Sequence, residues 1–211
     1  MIMKFRMKVL CSLLAAAMCC TPVLSGCSSQ EEPSLAQEEA EGKEQDVLDE
    51  TDGASGEGAG NLGKFSVEDI NGSAYTEELF ADHDLTMVNV FTTWCTPCIR
   101  EIPDLEKLHK EMEGQGVGVV GIVLDAIGSS GKVDEEAVEK AKILAEKTGA
   151  AYPFLIPDEG YLGGRLAGIA AVPETFFVDK DGNIVGETYS GSRSFEDWKG
   201  IVEKELEGVA K

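Results

Sequence analysis

A Cys-x-x-Cys segment between a strand and a helix is the feature that most constrains how this chain folds. The segment Trp94-Cys95-Thr96-Pro97-Cys98 follows an apolar run at residues 85–91, which predicts a buried strand, and precedes a helical pattern at residues 99–108. Both thiols therefore lie at a helix N-terminus, where unpaired N–H groups and the helix dipole favour negative charge. Because the thiolate is the nucleophile in disulfide exchange, we expect Cys95 to be the exposed attacking sulfur and Cys98 to resolve the mixed disulfide.

The chain begins with a pattern typical of an exported protein. A basic start is followed by an apolar run to about residue 24, the order found in secretory signal peptides, and the run is too short for a transmembrane helix. Leu24-Ser25-Gly26-Cys27 resembles the lipobox of bacterial lipoproteins. That resemblance implies that residues 1–26 are a lipoprotein signal peptide and that Cys27 carries the lipid. The alternative is an N-terminal anchor that is not cleaved.

Residues 27–60 predict a disordered tether. They carry eleven acidic side chains against one base, Lys43, and end in a glycine-rich stretch with little to bury. Specific partner binding by this acidic run is the alternative. The whole chain has a formal charge of −21, which argues against nucleic acid as a partner and against electrostatic docking on anionic lipid. Covalent lipid on Cys27 would instead hold the protein at the membrane.

The cysteine count favours redox chemistry over metal binding. Once the signal peptide and the lipidated residue are set aside, Cys95 and Cys98 are the two cysteines that remain. A single Cys-x-x-Cys in an exported protein indicates either redox or metal chemistry. A zinc site usually needs four ligands, and His83 and His109 lie in unrelated parts of the pattern. We therefore predict a redox-active pair with no metal and no cofactor.

The rest of the chain predicts an α/β domain at residues 61–211. Strand–helix–strand order implies parallel strands with a right-handed crossover, so we expect a mixed sheet with helices on both faces. The predicted elements are a short strand at 64–67, a short helix capped by Thr76, the strand at 85–91, the Cys-x-x-Cys helix, a buried strand at 117–124, a charged helix at 134–147, an apolar segment at 152–156, a helical turn at 161–169, a hairpin at 174–179 and 183–189, and a last helix capped by Ser194.

The order of these elements resembles that of the thioredoxin fold. Three segments carry the resemblance: residues 88–98, Glu101-Ile102-Pro103 and residues 172–182. The closer resemblance is to the TlpA/ResA-like family of membrane-tethered thiol-disulfide oxidoreductases. The helix between residues 124 and 152 fits the extra helix of that family. The resemblance implies a thioredoxin fold with a mixed central sheet, an N-terminal extension and a central helical insertion. It also implies a disulfide reductase on the extracytoplasmic face of the cell membrane.

The resemblance implies roles for several residues and partners. Pro173 is expected to be a cis-proline facing the disulfide, and the backbone of Val172 is expected to pair with a bound substrate strand. Trp94, Thr96 and Pro97 complete the active-site segment. The substrates implied are disulfides of exported proteins, and a membrane electron donor of the CcdA type would re-reduce the pair.

Two departures from the thioredoxin pattern leave questions open. Asn89 occupies the position of a buried aspartate that accepts a proton in thioredoxin. Asp125, at the end of the second buried strand, is the nearest candidate to replace that acid, and its alternative is a loop-start or helix-capping aspartate. Glu174, next to Pro173, has three open interpretations: it disfavours the Cys95 thiolate, tunes substrate choice, or faces water.

Three other functions compete with the reductase. A disulfide-forming oxidase of the DsbA type would use the same residues in reverse, since direction depends on the reduction potential. A thiol peroxidase is suggested by Thr92-x-x-Cys95, although Val88 stands where a proline is usual. A non-catalytic binding module is disfavoured because Cys95, Cys98 and Pro173 are all present.

Overall fold

A five-stranded mixed sheet is the centre of the computed structural model, which describes residues 60–158, 160 and 162–209. The strands are β1 (Ser66–Glu68), β2 (Ala74–Thr76), β3 (Leu85–Phe91), β4 (Val117–Val123), β5 (Phe154–Leu155), β6 (Glu174–Asp179) and β7 (Ile184–Ser190), and the helices are α1 (Thr96–Met112), α2 (Glu135–Thr148) and α3 (Phe195–Val209). The sheet order is β5-β4-β3-β6-β7, and β1 and β2 form a separate hairpin. The predicted thioredoxin fold is confirmed. The predicted signal peptide and lipidated Cys27, and all but the last residue of the tether, lie outside the described residues.

Strands β3 and β4 form the middle of the sheet. Every residue of both strands is buried, as expected for near-continuous apolar runs covered on both faces. The strands are parallel, and their register pairs Phe91 with Val123 at their carboxyl ends. The Cys-x-x-Cys loop after β3 and the Asp125 loop after β4 therefore meet at one edge of the sheet.

Side chains alternate between two cores along β3. Met87 and Phe91 face one core, which also contains Trp198 and the buried residues of all three helices. Val88 and Val90 face the other core, which is closed by apolar residues of the N-terminal hairpin region and of residues 162–166. The expectation of helices on both faces is wrong in that no α-helix of the described residues covers the second face, which is covered by the hairpin, a one-turn 3-10 helix at Glu77–Phe80 and loops.

The helix ends follow their sequence signals. Asp134 accepts hydrogen bonds from the backbone N–H groups of Glu136 and Ala137 at the start of α2. Ser194 caps α3 by accepting from the N–H of Asp197 at 3.3 Å and donating to its carboxylate at 2.6 Å. The predicted strands, hairpin and charged helix are confirmed to within about two residues at each end.

The predicted helical turn at residues 161–169 is wrong over the residues that are described. Residues 162–168 form successive turns, in which Leu162, Gly163, Gly164 and Gly168 all have positive φ. Right-handed helix requires negative φ, so this backbone cannot continue as one. Among the described residues, no helix is both long enough and apolar enough to cross a bilayer.

Two glycines with open space around them should respond oppositely to the same substitution. Gly149 ends α2 with φ of 73°, whereas Gly200 lies inside α3, and an added Cβ would meet nothing within 4 Å at either site. We expect Gly149→Ala to lower the free energy of unfolding by about 1 kcal/mol, because alanine resists the left-handed conformation. Gly200→Ala should raise it by about 0.5–1 kcal/mol. Urea denaturation measures both, and equal signs would contradict the backbone explanation.

Candidate active site

Cys95 and Cys98 form a disulfide at the first turn of α1. The S–S distance is 2.03 Å, and Cys95 occupies the N-cap position of the helix. The backbone N–H of Cys98 donates to the sulfur of Cys95 at 3.3 Å. A sulfur that accepts a first-turn N–H bond gains from the same interaction that favours anions at helix starts. This geometry favours a thiolate at Cys95 once the disulfide is reduced.

A groove opens over Cys95. It has a volume of about 550 Å³, and its lining residues are Thr92, Trp94, Cys95, Thr96, Pro97, Leu124, Ile169, Ala170, Ala171 and Val172. Cys98 does not line it and is 1% exposed, whereas Trp94 stands 72% exposed. Cys95 is itself only 6% exposed, so it is reached through the groove rather than standing free of the surface as the sequence suggested.

The Val172–Pro173 peptide bond is cis and lies against the disulfide. The carbonyl oxygen of Val172 is 3.6 Å from the sulfur of Cys95, and Val172 lines the groove. Pro173 is buried, and its carbonyl accepts the N–H of Gly191 at 2.9 Å. The backbone before the proline is thus held next to the sulfur of Cys95.

Glu101 is a buried acid that the sequence reasoning missed. It lies three residues after Cys98 on α1, hence on the same helix face, and is only 2% exposed. Its Oε1 accepts the indole N–H of Trp198 at 2.6 Å and the backbone N–H of Arg193 at 2.7 Å. Burial raises the pKa of Glu101, and the bonds from Arg193, Trp198 and Asn89 partly oppose that rise.

Asn89 connects this acid to the sheet. Its side-chain amide donates to Oε2 of Glu101 at 3.3 Å and to the hydroxyl of Thr175 at 3.0 Å. The position at which thioredoxin has an aspartate thus holds an amide that hydrogen-bonds a carboxylate on α1. The signal available in the sequence was the i, i+3 spacing of Cys98 and Glu101 on the predicted helix.

Asp125 lies at the same edge of the sheet but is engaged by the loop before the cysteines. Its two carboxylate oxygens accept the backbone N–H of Thr93 at 3.0 and 3.1 Å. The Thr93 hydroxyl donates to Oδ2 at 2.6 Å. These bonds fix the segment that leads into Trp94 and Cys95.

Glu174 is paired rather than facing water. Its Oε1 lies 2.9 Å from a guanidinium nitrogen of Arg165, and both side chains are less than one-fifth exposed. Arg165 was not identified from the sequence, because it lies in the segment that was predicted to form a helical turn. The pair compensates the carboxylate charge next to Pro173.

The two histidines are closer in the fold than the sequence suggested. His83 and His109, which lie far apart in the sequence, line one groove of about 420 Å³ on another part of the surface. Within the described residues, no three His, Cys, Asp or Glu side chains are arranged to hold a metal ion.

Comparisons with known proteins support the resemblance. The Haemophilus influenzae "thiol:disulfide interchange protein DsbE" is 30% identical over 132 residues, which cover 63% of this chain and 65% of that protein. The Bacillus anthracis "thiol-disulfide oxidoreductase ResA" is 30% identical over 117 residues, covering 56% and 61%. The chain therefore matches somewhat less than two thirds of the length of these relatives.

Solved structures agree on the fold. A "thiol:disulfide interchange protein, thioredoxin family protein" from Chlorobium tepidum superposes with a TM-score of 0.57 at 27% identity, covering 70% of this chain and 97% of that one. StoA from Bacillus subtilis, at 20% identity and a TM-score of 0.52 over 67% and 97% of the two chains, shares the fold. A model of the AhpC/TSA family matches residues 61–186, which include Cys95, Cys98 and Pro173. Since that match spans more than half of the sequence, the chain belongs to the AhpC/TSA family.

Proposed function

We propose that this protein is an extracytoplasmic thiol:disulfide oxidoreductase that reduces disulfides of exported proteins through Cys95 and Cys98. One observation carries the proposal: a disulfide at the N-terminus of α1 presents only Cys95 to a groove that ends at a cis Val172–Pro173 bond. The DsbE and ResA relatives, which are named for thiol-disulfide chemistry, support it.

The reaction starts from the reduced pair. The Cys95 thiolate attacks one sulfur of the substrate disulfide, an S–S bond forms between chain and substrate, and the other substrate sulfur leaves as a thiolate. Cys98 then attacks the Cys95 sulfur and releases the second substrate thiolate. Two electrons have passed to the substrate, and the Cys95–Cys98 disulfide remains. A membrane electron donor of the CcdA type is proposed to re-reduce it.

The groove favours an extended, uncharged substrate segment. None of its lining side chains is ionic, and Trp94, Pro97, Leu124 and Ile169 give it an apolar surface. The backbone of Val172 offers a hydrogen-bonding edge to a strand that lies in the groove. An apocytochrome cysteine pair or an oxidised methionine sulfoxide reductase are examples of exported substrates.

Glu101 is proposed as the group that exchanges a proton with Cys98. Resolution of the mixed disulfide needs Cys98 as a thiolate, and a carboxylate on the same buried helix face can accept its proton. A pKa raised by burial makes Glu101 a better proton acceptor than an exposed glutamate. Asp125 is proposed to position Thr93 rather than to carry this proton.

Localisation is proposed from the sequence of the first 60 residues. The lipobox at Leu24-Ser25-Gly26-Cys27 supports cleavage and lipid attachment, and the acidic segment that follows supports a tether.

Substitution of each cysteine should separate attack from resolution. We expect Cys98→Ser to accumulate a mixed disulfide between Cys95 and a disulfide substrate, since no thiol remains to release it. Cys95→Ser should form none. Non-reducing gel electrophoresis and intact-mass measurement detect the adduct, and Cys95→Ser is the matched control. Rapid turnover of hydrogen peroxide by the parent, without an adduct in Cys98→Ser, would favour the thiol peroxidase instead.

The reduction potential of the Cys95–Cys98 pair should identify the direction of electron flow. For a reductase we expect a value near that of thioredoxin, about −270 mV. Equilibration against dithiothreitol or glutathione buffers, followed by thiol alkylation, measures it. A value near that of DsbA, about −120 mV, would instead indicate a disulfide-forming oxidase.

Glu101 should make the stability of the oxidised protein depend on pH. Its pKa is raised by burial above 4.5, so the folded chain holds that proton more tightly than the unfolded chain. The free energy of unfolding therefore falls as pH rises from about 4.5 through the folded pKa. In Glu101→Gln this fall should be absent.

Urea denaturation at a series of pH values measures the effect in the parent and the variant. Glu113→Gln, at an exposed position after α1, is the matched control and should follow the parent. If the difference in the free energy of unfolding between the parent and Glu101→Gln does not change with pH, the pKa of Glu101 is not raised. The reason for assigning the Cys98 proton to Glu101 would then be lost.

A further inference from the structure

Residues 169–172 form one wall of the groove, and Arg165, which precedes them in the chain, contacts the sheet. Its guanidinium nitrogen Nη2 lies 2.9 Å from Oε1 of Glu174 on β6 and 3.4 Å from the hydroxyl of Thr188 on β7. The guanidinium carbon lies 4.2 Å from the centre of the Phe176 ring. One side chain therefore makes an ionic, a hydrogen-bonding and a cation–π contact with two adjacent strands.

The wall that Arg165 holds has few other polar ties to the sheet. Residues 169–172 line the groove, and the backbone hydrogen bonds of the described segment before them are local, from Gly164 to Gly160, Arg165 to Leu162 and Ala167 to Gly164. Within the described residues, no backbone hydrogen bond joins residues 162–171 to the sheet. The buried side chains of Leu162 and Leu166 supply apolar contact, which is not directional.

The ion pair is shielded from water. The Arg165 and Glu174 side chains are 19% and 16% exposed, unlike the pairs on the helix surfaces. When one partner of a shielded pair is removed, the other remains as an uncompensated charge in a poorly hydrated site. Loss of Arg165 would thus leave the Glu174 carboxylate unpaired next to Pro173 and release the wall.

We propose that Arg165 is a positioning residue for substrate binding, which acts by fixing the groove wall at residues 169–172 through its pair with Glu174. The inference rests on the proposed function, because it assigns the groove to a disulfide substrate. It also gives Glu174 a role: this carboxylate anchors Arg165, and its compensated charge leaves the groove suited to uncharged segments.

The experiment combines substitutions of the pair with two readouts. Steady-state reduction of an uncharged disulfide peptide gives KM and kcat, and amide hydrogen exchange of residues 166–172 reports on the wall. For Arg165→Ala we expect KM to rise about three- to tenfold while kcat changes less than about twofold, together with faster exchange of the wall. When Arg165→Ala is combined with Glu174→Gln, no carboxylate is left unpaired next to Pro173, and the reduction potential should stay at the parent value.

A charge swap separates this role from a general loss of packing. The double variant with Glu174→Gln and Arg165→Ala should raise KM by less than the product of the two single-variant increases. The exchanged pair, R165E with E174R, should bring KM part of the way back to the parent value. Lys142→Ala breaks an exposed pair with Glu139 on α2 and should change neither readout. Arg165→Gln, which is closer in length and polarity, replaces Arg165→Ala if the alanine variant does not fold.

Two failures would look different. A parent protein that cycles with dithiothreitol but reduces no disulfide peptide would overturn the proposed function, while hydrogen exchange would still test the wall. The role of Arg165 would be overturned if Arg165→Ala kept the KM and the amide exchange of the parent. It would also be overturned if the charge-swap variant folded but recovered neither KM nor amide exchange. A KM rise matched by an equal loss of kcat, with a potential that stays shifted when Glu174→Gln is added, would also overturn it, because the disulfide would then be disturbed directly.

Discussion

Parallel pairing of β3 and β4 in a fixed register is the constraint on which the site depends. It brings Phe91 and Val123 side by side, so the loops that follow begin at the same edge of the sheet. Only then can Asp125 accept the N–H and hydroxyl of Thr93 and orient the approach to Cys95. Antiparallel β6 adds Val172 at this edge from the opposite direction, which places its carbonyl 3.6 Å from the Cys95 sulfur.

Two acids flank this edge on opposite faces of the sheet, and each is compensated differently. Successive residues of a strand point to opposite faces, so Thr175 contacts Asn89 on the helix face while Glu174 contacts Arg165 on the other. Glu101 is bonded to Asn89, and its pKa is raised because it is buried. Glu174 is instead paired with the guanidinium of Arg165. In a chain with a formal charge of −21, burial of Glu101 and pairing of Glu174 both limit the negative charge that these two acids place beside the disulfide.

The sequence predicted those parts of the fold and the site that local chemistry determines. The run 85–91 is buried over its full length, Ser194 caps the last helix, and the chain turns between β6 and β7 where the hairpin was expected. Glu101 escaped notice because its helix is rich in charged residues, and the burial of this one depends on Trp198, 97 positions away. The segment around Arg165 was predicted wrongly because its helical pattern is overridden by positive φ at Leu162 and its glycines.

Glu101 also joins parts of the chain that no local pattern connects. It hydrogen-bonds Asn89 from the central strand, Arg193 from the loop before α3 and Trp198 from the first turns of α3. A buried carboxylate without donors is costly, so docking of α3 and burial of the acid behind Cys98 favour each other. If Glu101 exchanges a proton with Cys98, as proposed, the proton environment of Cys98 depends on the last helix. In thioredoxin-like chains with a strand aspartate, that dependence would be absent, because the acid would belong to the sheet itself.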